Sequence, residues 1–146
     1  MHIAQINVAR MKAPIDSAVM KEFRDFLAPM NALAESSPGF VWRYDADTET
    51  QLADTAAAFA EPDLLIVNMS VWESVELLKE FTYHTVHSYF VRKRARWFNG
   101  LGHPHVACWW VEPGTQPSVA EGQSRLALLG QHGVSATAFT LGEVIP

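Results

Sequence analysis

Residues 74–100, SVELLKEFTYHTVHSYFVRKRARWFNG, decide how the rest of the chain can be arranged. At about 100° per residue, this stretch predicts one long amphipathic helix. Its apolar side carries Tyr83, Val86, Phe90, Val91, Trp97 and Phe98. His84, His87 and Arg94 interrupt the pattern, because they lie on or beside the apolar side. A buried imidazole or guanidinium is costly unless it is paired or hydrogen-bonded. We therefore expect these three side chains to hold an internal network or to line a cavity.

The length and composition are those of one globular domain, which we expect to span residues 1–146. Hydrophobic residues make up 49% and charged residues 18%, which argues against disorder. A net charge of −5 makes a nucleic-acid partner improbable. The single cysteine, Cys108, excludes an intrachain disulfide. No signal-peptide pattern and no apolar run of membrane-spanning length is present, so we expect a cytoplasmic protein without a membrane partner.

Apolar periodicity predicts the other elements. Asp16 can cap a helix that continues to Ala34 and is kinked at Pro29. Residues 46–63 are polar and Ala-rich, and they predict a long connection with one helical turn around 56–60. The predicted strands are 2–9, 40–45, 64–72 and 106–111, followed by a short helix at about 119–129 and a terminal extended segment at 138–144.

The element order is β-α-β-β-α-β, which predicts an α+β fold of the ferredoxin-like, split βαβ type. This fold has a four-stranded antiparallel sheet with helices on one face, and here a helix and a strand are appended at the C-terminal end. The second sheet face carries Ile66 and Trp72 and must also be covered. The simplest cover is a second copy of the chain, so we expect a homodimer. If the strand registers agree, this inner face also carries Gln5, Asn7, Asn68 and Ser70.

Several stretches together carry a family resemblance. They are AQINVARMKAP at 4–14, NALAESSPGFVWR at 31–43, LLIVNMSVWESVELLKEF at 64–81, His87 with Arg92, Arg94, Trp97 and Phe98, CWWVEPGTQPSVAEGQSRLALL at 108–129, and AFTLGEVI at 138–145. Nearly the whole chain thereby resembles the DUF3291 family, within the dimeric α+β barrel group that includes antibiotic-biosynthesis monooxygenase-like proteins. The resemblance implies that fold, a homodimer and a small-molecule site.

Related barrels include cofactor-independent quinol and polyketide monooxygenases, lactone isomerases, cyclases, aldoxime dehydratases and other haem proteins. The fold alone does not select among these activities. The sequence carries no G-x-G-x-x-G, phosphate-loop or G-x-S-x-G motif, which argues against nucleotide cofactors and covalent hydrolysis.

The candidate catalytic residues are His87, His84 and Arg94. Histidine can move protons near neutral pH, and Arg94 can hold a carboxylate or stabilise an enolate oxygen. An internal ion pair of Arg94 with Asp45 or Glu73 is the alternative. The two histidines are three residues apart and could share a metal, but a catalytic zinc site needs a third protein ligand. We therefore predict no metal site.

A cavity for an apolar substrate needs walls and a few polar groups. Trp42, Trp72 and one of Trp109 or Trp110 could form an aromatic wall, although ordinary core packing is the simpler explanation for any one of them taken singly. The substrate-binding candidates are Asn7, Gln5, Trp42, Asn68, Ser70, Trp72, Tyr83 and Trp109.

Three functions are compatible with the sequence and with the family resemblance. The first is a small dimeric enzyme that acts without a bound cofactor on an aromatic or polyketide-like molecule, as a monooxygenase, cyclase or isomerase of secondary metabolism. The second is a haem enzyme or haem carrier that uses His84, His87 or His103. The third is a non-catalytic protein that binds a small ligand in the same cavity.

Overall fold

The structure, a computed structural model, describes the backbone of residues 1–85 and 87–146 and the side chains of residues 1–85 and 92–146. Within these residues it contains an antiparallel sheet of five strands and five helices. In chain order the elements are β1 (His2–Met11), α1 (Lys21–Ser36), β2 (Phe40–Arg43), α2 (Thr48–Ala58), β3 (Leu65–Trp72), α3 (Val75–His84), α4 (His87–Trp97), β4 (Phe98–Asn99), β5 (Val106–Val111) and α5 (Val119–His132).

The strand order confirms the predicted ferredoxin-like arrangement. Four strands lie side by side in the order β2-β3-β1-β5, and each neighbouring pair is antiparallel. The short strand β4 extends this sheet, because it pairs with Arg10 and Met11 at the end of β1. β1 is therefore the central strand, with neighbours along both edges.

Each face of the sheet has its own layer of helices from the same chain. One face, called the packed face here, buries a core to which α5 contributes Val119, Leu126 and Leu129. Helix α2 lies beside α5 in the same layer. The other face, called the cleft face here, is met by α1, α3 and α4. The prediction of helices on one face only is therefore wrong, and the second face does not require another copy of the chain as its cover.

Helix α5 can approach the sheet closely because of Gly122. A Cβ atom at this position would lie 2.4 Å from Ile6 Cδ1 and 3.2 Å from Met69 Sδ, inside van der Waals contact. Ser118 starts the helix, since its hydroxyl accepts a hydrogen bond from the Glu121 backbone N–H at 3.1 Å. The sequence placed this helix correctly, but the periodicity of the strands could not show which layer would cover which face.

The long central helix is interrupted. Helix α3 ends at His84, and Thr85 follows with extended backbone angles (φ −122°, ψ −176°). The Thr85 hydroxyl donates to the Phe81 carbonyl, a local bond that competes with helix continuation. A second helix, α4, then runs from His87 to Trp97. The prediction of one continuous helix is wrong, and the angular positions derived from it do not carry across Thr85.

Two other predicted boundaries are corrected. Asp16 does not cap α1, because residues 14–20 form turns in which the Ser17 N–H donates to the Pro14 carbonyl at 2.9 Å. The helix starts at Lys21 without a side-chain cap. Residues 48–58 form the full helix α2 instead of a single turn, and Asp47 caps it by accepting from the Thr50 N–H at 2.7 Å.

The C-terminal segment after α5 packs against β5 and pairs with it at one point. Phe139 and Cys108 exchange two backbone hydrogen bonds of 2.7 and 2.9 Å, and both side chains are fully buried. The Trp110 indole N–H donates to the Ile145 carbonyl at 2.7 Å. The predicted terminal strand at 138–144 is thus reduced to isolated bridges, and the one between Cys108 and Phe139 covers part of the β5 edge. No helix among the described residues is long and apolar enough to cross a membrane.

Candidate functional site

Four polar side chains lie together in the middle of the cleft face. The register of β1 with β3 places Gln5 opposite Ser70 and Asn7 opposite Asn68. Directly opposite residues of an antiparallel pair point to the same face of the sheet. The prediction that these four residues share a face is therefore confirmed, and we call them the polar strip.

The polar strip lies between two apolar clusters on the same face. The aromatic end consists of Ile3, Ala34, Trp72, Val75, Leu78 and Cys108, with Phe40 and Phe81 packed against them. The methionine end consists of Met11, Met20 and Trp97, with Phe23, Ile66 and Phe98 packed against them. Helix α1 contributes Ala34 to the first cluster and Phe23 to the second. This helix therefore passes over the strip that separates the two clusters.

The middle of α1 is not closed onto the sheet. Phe26, Leu27 and Met30 lie on the same helical side as Phe23 and Ala34, yet all three remain partly exposed. On the sheet below, Asn68 is exposed as well. Both surfaces therefore keep accessible area among the described residues, and from this we infer a space between the apolar side of α1 and the polar strip. We call this space the sheet cleft.

The accessibility of the cleft floor increases along the strip. Ser70 is 7% exposed and Trp72 beside it is fully buried. Trp72 stacks on Phe81 with ring centroids 4.9 Å apart and meets Phe40 edge-on at 5.6 Å. Asn68 is exposed, and it lies just beyond the last backbone hydrogen bond of this strand pair, in which the Tyr44 N–H donates to the Met69 carbonyl at 2.8 Å. The strip is therefore covered by aromatic rings at Ser70, its closed end, and reaches solvent at Asn68, which we call its open end.

A chain of hydrogen bonds organises the floor. The Trp72 indole N–H donates to Ser70 Oγ at 2.9 Å. Gln5 Nε2 donates to the same oxygen at 2.9 Å and to Asn68 Oδ1 at 3.0 Å. The described residues offer no hydrogen-bond partner to the Asn7 side chain, to Gln5 Oε1 or to the Asn68 amide N–H group. The strip thus presents unused hydrogen-bonding groups below the apolar side of α1.

No ionisable side chain belongs to the polar strip. The nearest in the register is Arg43, which pairs with Ser70 across β2 and β3. Its guanidinium is engaged by Glu35 at 2.8 Å and Asp45 at 3.5 Å. Asp45 is therefore a partner of Arg43, whereas the sequence suggested it as a possible partner of Arg94. The cleft floor is polar but uncharged.

The predicted catalytic residues are not gathered at this floor. His84, at the end of α3, and Arg94, in α4, are both exposed, so the expectation that they point inward is wrong. The helix break at Thr85 explains the error for Arg94, because it changes the direction in which the residues after it face. Tyr83 is 53% exposed. The side chain of His87 lies outside the described residues, and the role assigned to it stays a prediction.

The loop after β4 brings further basic groups together. Partial burial of the His105 side chain, together with the positive charges of Arg94 and His103, lowers the pKa of His105 below the ordinary value of 6.5. His103 is exposed, and its ring Nδ1 lies 3.0 Å from the Pro104 carbonyl oxygen. Among the described side chains, no group of three His, Cys, Asp or Glu residues is arranged to hold a metal ion.

The tryptophans do not form one wall. Trp72 lies on the cleft face together with Trp110, which the register places across β1 from it. Trp42 and Trp109 belong to the core of the packed face, so their expected place beside Trp72 is wrong. A bulge between Phe40 and Trp42 shifts the alternation of β2 and turns Trp42 to the other face.

The sequence reasoning missed the contribution of α1 to the site. Its apolar spacing over Phe23, Phe26, Met30 and Ala34 predicts an amphipathic helix but does not indicate which surface that helix covers. A signal for a different role was present, because the strip that faces this helix consists of Gln and Asn residues, which an apolar helix side cannot satisfy. Pairing the polar face of β1 with the apolar side of α1 predicts a space between them.

The class of this protein is that of a ferredoxin-like α+β domain, with a strip of uncharged polar side chains on the sheet face that α1, α3 and α4 meet. Within this class the chain belongs to the DUF3291 family, a domain of unknown function whose profile matches residues 2–146. Neither a curated protein nor a solved structure matches the chain.

Proposed function

We propose that this DUF3291 protein binds a small, largely apolar molecule in the sheet cleft and converts it there, as a monooxygenase, cyclase or isomerase that needs no bound cofactor. The observation that carries the proposal is the position of the polar strip. It lies between two apolar clusters and below an apolar helix side that stays half exposed.

The composition of the cleft favours a ligand site and argues against a merely poorly packed part of the core. Apolar residues at these four central positions would have allowed α1 to pack directly on the sheet and would have stabilised the fold. Small-molecule sites are typically apolar spaces with a few polar groups that fix orientation. The sheet cleft has this composition, with aromatic rings at its closed end and amide groups along its floor.

His87 is the proton-transfer residue of this proposal. An imidazole is suited to that role at neutral pH, and a sequence position at the start of α4 supports a place near the helix layer of the cleft. Asn7 and Asn68 orient the substrate oxygen by hydrogen bonding. A role in secondary metabolism, such as antibiotic biosynthesis, extends the proposal through the family resemblance alone.

A fluorescent probe tests the binding step. N-phenyl-1-naphthylamine is neutral and becomes strongly fluorescent in apolar sites. We expect saturable binding to the wild-type chain and its loss in Asn68→Trp, which fills the open end of the cleft. Gln131→Trp, at an exposed position near the end of α5, is the matched control and should bind like wild type. Equal probe binding by all three proteins, or none by the wild type, would contradict the proposal.

The catalytic step is tested on the ligand that native mass spectrometry finds in freshly purified protein. We expect His87→Gln to retain this ligand but to lose its conversion. Conversion at the wild-type rate would remove His87 from the mechanism, and release of an unchanged ligand by the wild type would favour a binding protein. A Soret band after addition of haemin, lost in His87→Gln, would favour the haem alternative instead.

The homodimer is part of the proposal through the family resemblance. Since α2 and α5 fill the packed face, a second copy has to dock on another surface of the 16.3 kDa chain. The same native spectrum reports the mass of the assembly, and a mass of one chain would exclude the dimer under those conditions.

A further inference from the structure

We propose that the polar end of the ligand is an uncharged group that offers both a hydrogen-bond donor and an acceptor, such as an amide, a lactam or a hydroxyl next to a carbonyl. Carboxylates, phosphates and ammonium groups are disfavoured in the sheet cleft. This inference rests on the proposed function, because it names the class of molecule that the same cleft accepts.

The closed end of the cleft constrains the hydrogen bonds of the floor. The Trp72 indole nitrogen is a donor only, so Ser70 Oγ acts as an acceptor in their 2.9 Å bond. Gln5 Nε2 donates to Ser70 Oγ and to Asn68 Oδ1, and these two bonds use both hydrogens of the amide. Each of the two carboxamides is thereby held in place by its neighbour.

The groups that remain unused are one acceptor and one donor. Gln5 Oε1 and the Asn68 amide N–H group have no hydrogen-bond partner among the described residues. Exchanging nitrogen and oxygen in both amides reverses the direction of their mutual bond. That exchange leaves Gln5 with a free donor and Asn68 with a free acceptor. In either arrangement, neighbouring amides whose bonded atoms are 3.0 Å apart present one free donor and one free acceptor.

Asn7 adds the same pair of functions. It lies opposite Asn68 in the register, is half buried, and its amide makes no hydrogen bond to a described residue. A ligand group that only accepts would leave the free carbonyl oxygens of the floor unpaired, and a group that only donates would leave the free N–H groups unpaired. Unpaired polar groups in a partly buried site carry a free-energy cost.

Charge matching disfavours ionic ligand groups at the polar strip on the same grounds. Arg43, the nearest cation in the register, is 21% exposed and is already neutralised by Glu35 and Asp45. Among the described residues, an anion at the polar strip would meet neutral amides and no free cation of the strip, and an ammonium group would meet no free carboxylate of the strip. Transfer of a charge from water into such a site is unfavourable without a partner.

Three probes with the same ring system test this inference by isothermal titration. They are naphthalene-2-carboxamide, naphthalene-2-carboxylate and 2-methylnaphthalene, measured at pH 7.5. We expect the carboxamide to bind at least about tenfold more tightly than the carboxylate. Asn68→Leu should weaken carboxamide binding about tenfold and leave 2-methylnaphthalene binding unchanged. Asn99→Leu, at an exposed position of β4, is the control and should bind all probes like wild type.

The outcomes separate this inference from the proposed function. If 2-methylnaphthalene binds and the carboxamide has no advantage over the carboxylate, the cleft is a ligand site but its preference for neutral groups is refuted. An equal loss of carboxamide affinity in Asn99→Leu would refute recognition by the polar strip. If none of the three probes binds, the proposed function fails and the inference fails with it.

Discussion

The two faces of the sheet are built by the same strands and differ in what they contact. On β1, Ala4, Ile6 and Val8 are at most 1% exposed on the packed face. The alternate residues Gln5 and Asn7 are half buried on the cleft face. The packed face has apolar partners from α2 and α5, whereas the middle of the cleft face carries hydrogen-bonded polar side chains of which Asn68 is exposed. Burial of apolar side chains on the packed face therefore stabilises the sheet, and this allows the cleft face to carry polar groups.

The largest expected effect is a difference in the free energy of unfolding between variants at two adjacent residues of β3. Met69 is 1% exposed on the packed face, and Met69→Ala should lower the free energy of unfolding by about 2–5 kcal/mol. Asn68→Ala, one residue away on the cleft face, should change it by less than about 0.5 kcal/mol, because the side chain is exposed. Urea unfolding followed by tryptophan fluorescence measures both. Equal losses would show that the two faces do not differ in this way.

An intermediate effect is expected at the closed end of the cleft. Ser70→Ala removes the acceptor of two hydrogen bonds and leaves the fully buried Trp72 indole N–H without a partner. The free energy of unfolding should fall by about 1–3 kcal/mol. Ser36→Ala, at an exposed position of α1, is the control, for which a change within about 0.5 kcal/mol is expected in the same urea assay. A neutral Ser70→Ala would mean that the floor network adds nothing to the fold.

The smallest effect concerns His105, outside both faces. Its folded-state pKa is lowered, so the unfolded chain takes up a proton near pH 6.5 that the folded chain resists. The contribution of His105 to stability is therefore complete above pH 6.5 and is lost as the pH falls from there toward the folded-state pKa. Thermal unfolding midpoints between pH 7.5 and 5 should decrease less steeply for His105→Gln than for wild type.

Arg94→Gln tests whether the positive charge of Arg94 is a cause of the lowered pKa of His105. It removes one of the positive charges that lower the pKa of His105, and the pH dependence should become weaker. Identical pH profiles for wild type, His105→Gln and Arg94→Gln would show that this loop does not contribute to the pH dependence.

The sequence predicted most of the sheet because strand alternation is a local property. The face shared by Gln5, Asn7, Asn68 and Ser70 followed from two alternating patterns and was confirmed by the register. Helix α2 was underestimated, since an Ala-rich segment without an apolar period resembles a connection, although Asp47 before it was a usable cap signal.

The errors at the site have a common origin. A helical projection of residues 74–100 assumes one continuous axis, and the break at Thr85 invalidates it for His84 and Arg94 taken together. Likewise, the strict alternation assumed for β2 fails at the bulge that turns Trp42 away from Trp72. Both features depend on local backbone geometry that has no distinct sequence pattern here.

The sequence by itself determined the strands, the amphipathic helices and the polar strip, because each depends on the period with which apolar and polar side chains recur along the chain. The tertiary structure alone decided which helices cover which face, that α1 contributes to both apolar clusters beside the strip, and that Ser70 and Trp72 lie at a closed end. These features depend on packing between segments distant in the sequence, and each segment has an apolar side that could have been buried against more than one partner.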